Sequence, residues 1–427
     1  MVDSFIYLVG EYNILLIYMG LKSRIISFIN HHPKLEKSIM PRINIIYQLP
    51  KRALFILFSL FPIRPSKVVI SNFGGKDYGD NSKYVAEALL KEQLFTDIVW
   101  MVGSDSLLHE NHLPEQIRPV KNSSVNEIYE YATAKVWIDN ANKAWYFRKR
   151  RNQIYVQLWH GTAALKKILR DSPNFRREHD LALNNEGDMC NLLVSGSYQH
   201  TTVYHSAFDF SCPILNSGSP KNDILTHFVT PKKTEILNLK SGLPQTIDKK
   251  VLLYAPTYRK SQSIKIYNLE IEKCISQLHT IFGGEWICLL RLHPAVATKS
   301  SELKIDENLA IDVTNYPDMQ ELLCISDVLI TDYSSSMFDF ILTRRPCFLY
   351  TPDASEYLNE RGYYMKFDDL PFPRGNTNDE LIEAMQNFDN DDYQQKISVF
   401  KERIGLYDKG NAGKAVVDWI KKKIDSE

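Results

Sequence analysis

The feature that most constrains the fold of this chain is a regular alternation of short β-rich runs with helical patterns, which begins near residue 67. Runs such as KVVISNF and DIVWMVG are rich in β-branched and aromatic residues, and the helical stretch VAEALLKEQ lies between them. Strands that alternate with helices are typical of βαβ units, whose strands form a parallel sheet. We therefore predict an α/β fold.

The alternation lapses once, over residues 226–250, where the chain is polar and carries Pro, Gly and Lys. It restarts with KVLLYAP and continues to PCFLY. A chain of 427 residues is long enough for two ordinary domains. The lapse therefore predicts two doubly wound domains, residues 66–235 and 236–427. The amphipathic terminal helix AGKAVVDWIKKKI belongs to the second domain and is a candidate to cross back to the first.

Residues 1–65 differ from the rest of the chain because they are both apolar and basic, with eight Lys/Arg against three Asp/Glu. No run reaches the roughly 18–20 uninterrupted apolar residues that a spanning helix needs. The start also lacks the basic region and small-residue cleavage site of a signal peptide. The segment fits an amphipathic, helical membrane-association segment for an anionic lipid surface, and it fits equally well N-terminal helices packed on a domain.

Composition excludes several classes of protein. The formal net charge is zero and the pI is near 7.2, which argues against a nucleic-acid binder that relies on positive charge. None of the six cysteines forms a CxxC pair, and no spacing is typical of a zinc site. The cysteines are therefore interpreted as buried free thiols in a reducing compartment.

Polar and titratable side chains stand where several predicted strands end. Ligands of doubly wound sheets bind outside the carboxyl ends of the strands, and a cleft between two such domains is the usual site. Histidine accepts a proton from an attacking hydroxyl, and arginine neutralises phosphate oxygens. A small polar loop that enters a helix offers N–H groups and hydroxyls to an anion. The side chains at these ends are His160 to Thr162, Ser219 to Asp223, Thr257 to Arg259, Arg291, His293 and Asp332 to Ser336.

Each of these signals also has an ordinary structural explanation. A serine before a helix is most often an N-cap, and Lys166 and Lys167 fit a solvated helix that follows His160. Tyr258 and Phe338 fit packing positions. The signals nevertheless coincide at strand ends in both predicted domains, and this coincidence favours a binding site in the cleft.

Five short motifs occur together in one order: QLWHGT with its following lysines, GSPKND, YAPTYR, RLHP and TDYSSSMFDF. Together they resemble the CDP-glycerol glycerophosphotransferase family, which includes teichoic acid primases and polymerases and capsule enzymes. The resemblance covers about residues 70–385. It implies a GT-B fold, in which two Rossmann-like domains face a central cleft. It also implies that an acceptor hydroxyl on a lipid-linked teichoic acid or capsular polymer attacks the β-phosphorus of CDP-glycerol or CDP-ribitol, so that CMP leaves.

The resemblance also implies roles for individual residues. His160 would be the general base, and His293 would be its catalytic partner that holds the donor pyrophosphate. The donor-binding set would be Arg259, Arg291, Thr331, Asp332, Ser334, Ser335 and Asp339, and the acceptor or phosphate-binding set would be Gly161, Thr162 and Lys167. The family usually has HGTPLK where this chain has HGTAALK, so the match of the lysine is loose. We see no carboxylate cage for a metal, although Mg²⁺ accompanying the pyrophosphate is left open.

The implied lipid-linked acceptor places the protein in the cytoplasm, peripheral on the inner face of the bacterial cell membrane. Two alternatives remain open at this point. One is a GT-B nucleotide-sugar glycosyltransferase or UDP-sugar 2-epimerase, in which Glu356 or Glu360 would contact a ribose. The other is a non-catalytic scaffold of a surface-glycan complex. The WHGT and YSSSMFDF motifs favour polyol-phosphate transfer over both.

Overall fold

A computed structural model describes residues 33–103, 113–175, 179–226, 248–259, 264–293 and 306–427. Most of the polar stretch predicted to separate the domains lies outside these residues, so the predicted boundary stays a prediction. The first 32 residues of the predicted N-terminal segment also lie outside them.

The first domain is built on a seven-stranded, all-parallel sheet with the strand order β3-β2-β1-β4-β5-β6-β7. The chain places β2 and β3 on one side of β1 and then returns to place β4 on the other side. This reversal between β1 and β4 creates the crevice in which open α/β sheets bind ligands. The strands are β1 (Arg64–Ser71), β2 (Asp97–Val102), β3 (Ile117–Lys121), β4 (Ala134–Asp139), β5 (Ile154–Gln157), β6 (Leu192–Ser195) and β7 (Ile214–Asn216).

The second domain repeats this plan in a six-stranded parallel sheet with the order β10-β9-β8-β11-β12-β13. Its reversal lies between β8 and β11. The strands are nearly continuous apolar runs because helices cover both faces of the sheet, as in WICLL of β9. They are β8 (Lys250–Ala255), β9 (Trp286–Leu290), β10 (Ala310–Asp312), β11 (Val328–Thr331), β12 (Cys347–Tyr350) and β13 (Arg374–Gly375). The two sheets confirm the predicted α/β class.

The helices flank these sheets, and five of them begin at a side chain that accepts a hydrogen bond from the first turn: Ser124, Ser197, Asp318, Thr377 and Asp389. The helices are α1 (Pro33–Phe58), α2 (Asp80–Glu92), α3 (Val125–Thr133), α4 (Asp180–Met189), α5 (Tyr198–Ala207), α6 (Asp223–Thr226), α7 (Ile271–Phe282), α8 (Met319–Ile325), α9 (Ser336–Phe340), α10 (Ala354–Arg361), α11 (Asn378–Gln386), α12 (Asn390–Ile404) and α13 (Ala412–Asp425).

The terminal helix α13 returns to the first domain and packs on α2. Its apolar residues Val416, Val417 and Ile420 join the core of the first sheet. At the other end of the chain, α1 inserts Phe55 and Phe58 among the aromatic residues behind that sheet. The first domain is therefore closed by both ends of the described chain.

The segment after His160 is not the helix that its pattern predicts. Trp159 adopts a left-handed backbone with φ 50°, which turns the chain sharply at the end of the strand. The chain then crosses to the second domain, where Lys167 N–H donates to Gly362 O at 3.0 Å and Tyr364 N–H donates to Leu165 O at 2.8 Å. Tertiary hydrogen bonds thus replace the helical ones.

Candidate active site

A cavity of about 540 Å³ lies between the two domains at the carboxyl ends of both sheets. Both domains contribute polar walls. The first domain contributes Asn72, Phe73, Lys76, Asp77, Asp80, His160, Lys166 and Lys221. The second domain contributes Thr257, Tyr258, Arg291, His293, Gln320, Ser334, Ser335, Ser336, Asp339 and Tyr357, among others. Its position agrees with the strand-end rule for doubly wound folds.

His160 lines the first-domain wall, with its ring close to the rings of Trp159 and Phe73, whose centroids lie 4.1 and 5.0 Å away. Its Nδ1 lies 2.9 Å from the main-chain carbonyl of Asn140. Because a carbonyl only accepts, Nδ1 carries the proton and Nε2 is the basic nitrogen. Burial lowers the pKa of His160 below its ordinary value, and the Asp80 carboxylate opposes this shift. The ring is therefore neutral near pH 7 and able to accept a proton.

The backbone around His160 is unusual. Phe73, Asp80 and Trp159 all have positive φ, at 46°, 52° and 50°. Such conformations are costly for residues other than glycine and persist where surrounding contacts hold them, often at functional sites. Gly161 has a packing reason to be glycine, because a Cβ there would lie 2.9 Å from Cε1 of the buried His200.

Thr162, predicted to bind phosphate, instead forms part of a buried contact between the domains. Its hydroxyl donates to Asp339 Oδ1 at 2.5 Å and lies 2.9 Å from Ser219 Oγ. Asp339 also accepts from Asn222 and Gln320, and it pairs with Lys221 at 3.0 Å. Asp339 lines the cavity, but its oxygens are occupied by these partners.

The two lysines after His160 have different environments. Lys166 lines the cavity, its Nζ lies 3.4 Å from Tyr357 Oη, and no carboxylate of the described residues pairs with it. Its charge lowers the pKa of both His160 and His293. Lys167 is exposed and does not line the cavity. The lysine that faces the site is therefore Lys166, the last residue of HGTAALK, and not Lys167.

Besides Asp339, three of the predicted donor-binding residues line the cavity. Arg291 donates one Nη2 hydrogen bond to Tyr316 O at 3.1 Å, whereas its buried Nη1 has no hydrogen-bond partner in the described part of the chain. Ser334 and Ser335 line the same wall. His293, predicted to be catalytic, lies there too, with its ring 5.2 Å from that of Tyr258. This wall therefore offers cationic and hydroxyl donors to an anion.

Three other predicted donor-binding residues lie behind that wall. Arg259 pairs with Asp332 at 2.8 Å and Asp353 at 2.6 Å, and its guanidinium lies 4.8 Å from the ring centroids of both Tyr333 and Tyr357. Thr331 donates to Ala255 O at 2.7 Å. Asp332 accepts from Thr257 N–H, so these residues hold the loops that carry the cavity-lining side chains.

Several cavity residues were not assigned roles from the sequence. Asn72 directly follows β1 and Asp80 begins α2, and both line the cavity, whereas Asn140, which directly follows β4, lies behind His160. Lys221 belongs to the GSPKND motif and is buried against Asp80, Asp339 and the carbonyl of His160. The sequence signal that could have identified such residues is the occurrence of polar residues at the ends of predicted strands. Within the described residues, no group of three or more His, Cys, Asp or Glu side chains is arranged to hold a metal ion.

Comparison with known proteins places the chain among its relatives. The family described as CDP-Glycerol:Poly(glycerophosphate) glycerophosphotransferase matches residues 53–422. The chain belongs to this family. The prediction from the five motifs is thereby confirmed.

Within the family, the chain is 33% identical over 86% of its length to a teichoic acid poly(glycerol phosphate) polymerase of Staphylococcus epidermidis, of which it covers 52%. It is 31% identical over 88% of its length to a teichoic acid glycerol-phosphate transferase of Staphylococcus aureus, of which it covers 99%. The chain thus spans about half the length of the former relative and nearly all of the latter.

A crystal structure of the wall teichoic acid polymerase TagF matches with a TM-score of 0.76 and 32% identity, covering 92% of this chain and 98% of that one. The S. aureus MnaA–UDP structure matches with a TM-score of 0.53 and 15% identity, over 84% of this chain and 97% of that one. The second likeness concerns the fold alone. Glu356, the residue that the epimerase alternative would use, is exposed and does not line the cavity, and the side chain of Glu360 lies outside the described part.

Proposed function

We propose that this protein transfers glycerol phosphate, or a related polyol phosphate, from a CDP-activated donor to a hydroxyl of a lipid-linked teichoic acid or capsular polymer and releases CMP. The observation that carries the proposal is the cavity between the domains. It places a neutral histidine on one wall, and on the other it places hydroxyl donors and an arginine whose buried Nη1 has no hydrogen-bond partner among the described residues. The names of the relatives support the same chemistry.

The geometry suits a direct displacement. The acceptor hydroxyl gives its proton to Nε2 of His160 while its oxygen forms a bond to the β-phosphorus. The bond between that phosphorus and the bridging oxygen breaks, and the electron pair leaves with CMP. Phosphoryl transfer mainly needs positioning and neutralisation of charge. Arg291 and Lys166 would supply the positive charge, and His293, Ser334 and Ser335 would donate hydrogen bonds to phosphate oxygens.

Lys166 takes the phosphate-binding role in this proposal, in place of the predicted Lys167. Lys166 lines the cavity and its charge acts on both histidines, whereas Lys167 is exposed. The chain therefore offers a matched pair of adjacent lysines, of which only one faces the proposed site.

The test measures CMP release from CDP-glycerol and, separately, CDP-ribitol, with a lipid-linked acceptor. We expect release with at least one donor. H160A should lose about 10²–10⁴-fold in kcat, the usual contribution of a general base. K166A should lower kcat/KM strongly, whereas K167A should stay close to wild type. Equal effects of K166A and K167A would contradict the role of Lys166, and a folded H160A with wild-type turnover would exclude the proposed base.

The same preparation separates the rival functions. CDP or CMP should raise the thermal denaturation temperature of the protein, whereas the UDP-sugar alternatives require UDP to do so. A protein that CDP stabilises but that releases no CMP would carry a different CDP-linked donor. Stabilisation by UDP alone would overturn the proposal.

We also propose that α1 docks the protein on an anionic membrane surface, where a lipid-linked acceptor is accessible. No helix of the described residues is long and apolar enough to cross a membrane. Ile46, Leu49, Ile56 and Leu57 on α1 are exposed although apolar, and Leu60 beyond its end is 80% exposed. Lys51 and Arg52 lie on the same helix. Both basic side chains contact the first domain, at the rings of Tyr146 and Trp145. The exposed apolar residues therefore carry the proposed docking.

Co-sedimentation with vesicles tests this docking. We expect the wild-type protein to bind vesicles rich in anionic lipid, and I56S/L60S to bind them more weakly, because the substitutions remove exposed apolar surface without touching the buried Phe55 and Phe58. V399S is the control, since Val399 is 61% exposed on α12. Equal binding of both variants would rule out docking through α1.

A further inference from the structure

Asn140 lies at the meeting point of three loops in the first domain. It follows β4, the strand next to the reversal in the sheet. Its main-chain carbonyl accepts the hydrogen bond from Nδ1 of His160, which belongs to the loop after β5. The residue is fully buried, so its polar groups depend on protein partners rather than on water.

The side chain of Asn140 uses all of its groups to bind the loop after β1 and the start of α2. Its Oδ1 accepts from Phe73 N–H at 2.7 Å. Its Nδ2 donates to Asn72 Oδ1 at 2.6 Å and to Asp80 Oδ1 at 3.0 Å. Phe73 and Asp80 are two of the residues with positive φ beside the cavity. The amide therefore helps to hold both strained residues and keeps its own backbone in place.

The main chain and the ring of His160 are held separately. Lys221 Nζ donates to the carbonyl of His160 at 2.9 Å, which holds the backbone of the loop. The ring packs beside the rings of Trp159 and Phe73, and its Nδ1 donates to the carbonyl of Asn140. A hydrogen bond to one ring nitrogen sets which nitrogen remains basic.

We propose that Asn140 is the positioning residue of His160: its main-chain carbonyl selects the tautomer that leaves Nε2 basic, and its side chain keeps that carbonyl in position. The inference rests on the proposed function, because it takes His160 to be the base. Asn140 acts through His160 and is not itself a catalytic residue.

The hydrogen-bond partners of the Asn140 amide determine which of its atoms must donate and which must accept. Asp80 Oδ1 and Asn72 Oδ1 each accept from Nδ2, and Phe73 N–H donates to Oδ1. Aspartate at position 140 has the same shape but cannot donate when ionised, and it would place a second carboxylate against Asp80. In the double variant N140D/D80N, the asparagine at position 80 donates and the aspartate at position 140 accepts. One hydrogen bond between the two side chains is thereby restored, with its direction reversed.

The test compares wild-type protein with N140A, N140D, D80N and N140D/D80N, using CMP release across pH. We expect N140A to lower kcat by about 10- to 100-fold. Substitutions of residues that hydrogen-bond to metal-binding histidines and orient them lower metal affinity or activity by a similar factor. The KM for the CDP-linked donor should change little, because the donor wall lies in the other domain. N140D should be at least as impaired as N140A, and N140D/D80N should be more active than N140D.

A second readout does not need turnover. Diethyl pyrocarbonate modifies neutral imidazole, and peptide mass spectrometry gives its rate at His160. We expect faster modification in N140A than in wild type, because the main-chain carbonyl that holds the ring loses the side-chain hydrogen bonds that keep it in position. If wild-type protein releases no CMP from any CDP-linked polyol, the proposed function fails, whereas the modification rate still decides whether Asn140 positions the ring.

The matched control is N185A. Asn185 is also a buried asparagine of the first domain whose amide donates to a carbonyl, that of Phe147 at 2.9 Å, but it does not line the cavity. N185A should leave kcat and the His160 modification rate at wild-type values. The inference is overturned if N140A keeps the wild-type kcat and modification rate, if N185A impairs both as strongly as N140A does, or if N140D/D80N is no more active than N140D.

Discussion

The charges around His160 determine the pH range in which it can act as a base. Burial is the largest influence and lowers its pKa below 6.5, its ordinary value. Asp80 raises the pKa, whereas Lys221 and Lys166 lower it. The neighbouring His200 is buried below Gly161, and burial lowers its pKa to about 3, so it stays neutral. His160 therefore remains unprotonated under conditions in which a free histidine is partly charged.

Two substitutions should shift the acid limb of the profile of kcat/KM against pH in opposite directions. The proposed mechanism requires neutral His160, so kcat/KM should fall as pH drops through a pKa below 6.5. D80N removes the charge that raises this pKa, and its limb should lie at lower pH than that of wild type. K166A removes a charge that lowers the pKa, and its limb should lie at higher pH. Profiles of kcat/KM against pH test both, with K167A as the unshifted control.

Among the larger elements, the loop from residue 160 to 168 connects the first domain with the second. Ala163 and Leu165 are buried in a core cluster made mostly of second-domain residues. Lys166 forms an isolated antiparallel bridge with Tyr363. The apolar part of HGTAALK is thus an anchor, and it holds Lys166 at the cavity while Lys167 points outward to solvent.

The anchor can be tested by removing its apolar contact. L165A should cost about 2–5 kcal/mol in the free energy of unfolding, the usual range for a buried leucine. It should also lower kcat, because the loop that carries His160 and Lys166 loses its attachment. L381A removes an equally buried leucine from α11, away from the cavity. Chemical denaturation and CMP release should show similar destabilisation for both variants but reduced kcat only for L165A; equal activities would contradict the anchor.

On the scale of the whole molecule, buried polar contacts fix how the two domains meet. Asp339 accepts hydrogen bonds from Thr162, Asn222 and Gln320 and forms an ion pair with Lys221. Lys83 of α2 pairs with Asp318 at 2.7 Å and Glu321 at 2.6 Å beside α8. Such pairs are sensitive to the loss of one partner, since the remaining charge is left buried. Buried charged groups, together with apolar packing, therefore determine the shape of the cavity.

Asp408 makes this junction dependent on pH. Its Oδ1 accepts from Ser219 N–H at 2.9 Å, whereas its buried Oδ2 has no hydrogen-bond partner in the described part of the chain. Burial raises its pKa to about 7. The folded state binds this proton more tightly than the unfolded state, so the carboxylate costs stability increasingly as pH rises from about 4 to 7.

D408N removes that cost. We expect the melting temperature of D408N to exceed that of wild type by an amount that grows between pH 4 and 7 and then levels off. Thermal denaturation at several pH values measures this difference. A difference that stayed constant with pH would show that folding does not raise the pKa of Asp408.

The sequence predicted much of the site because the site follows strand ends. His160, Arg291, His293, Ser334 and Ser335 all line the cavity as expected. Asn140 and Lys221 received no role, since nothing local distinguishes an asparagine or lysine that binds a distant loop from one that faces solvent. The predicted helix after His160 was wrong because its apolar residues pack across the domain junction and not along a helix face.

The α/β class, the family and the strand ends at which the cavity forms are all readable from the amino-acid sequence, because hydrophobic periodicity and short motifs are local properties of the chain. Which of the residues at those ends face the cavity depends on contacts between distant segments. Arg259 does not line the cavity, because its guanidinium pairs with the carboxylate of Asp353. Asp353 lies 94 residues further along the chain. His160 is neutral because burial lowers its pKa, and the carbonyl of Asn140, 20 residues earlier, leaves Nε2 as its basic nitrogen. These contacts join distant segments, so they exist only once the chain has folded.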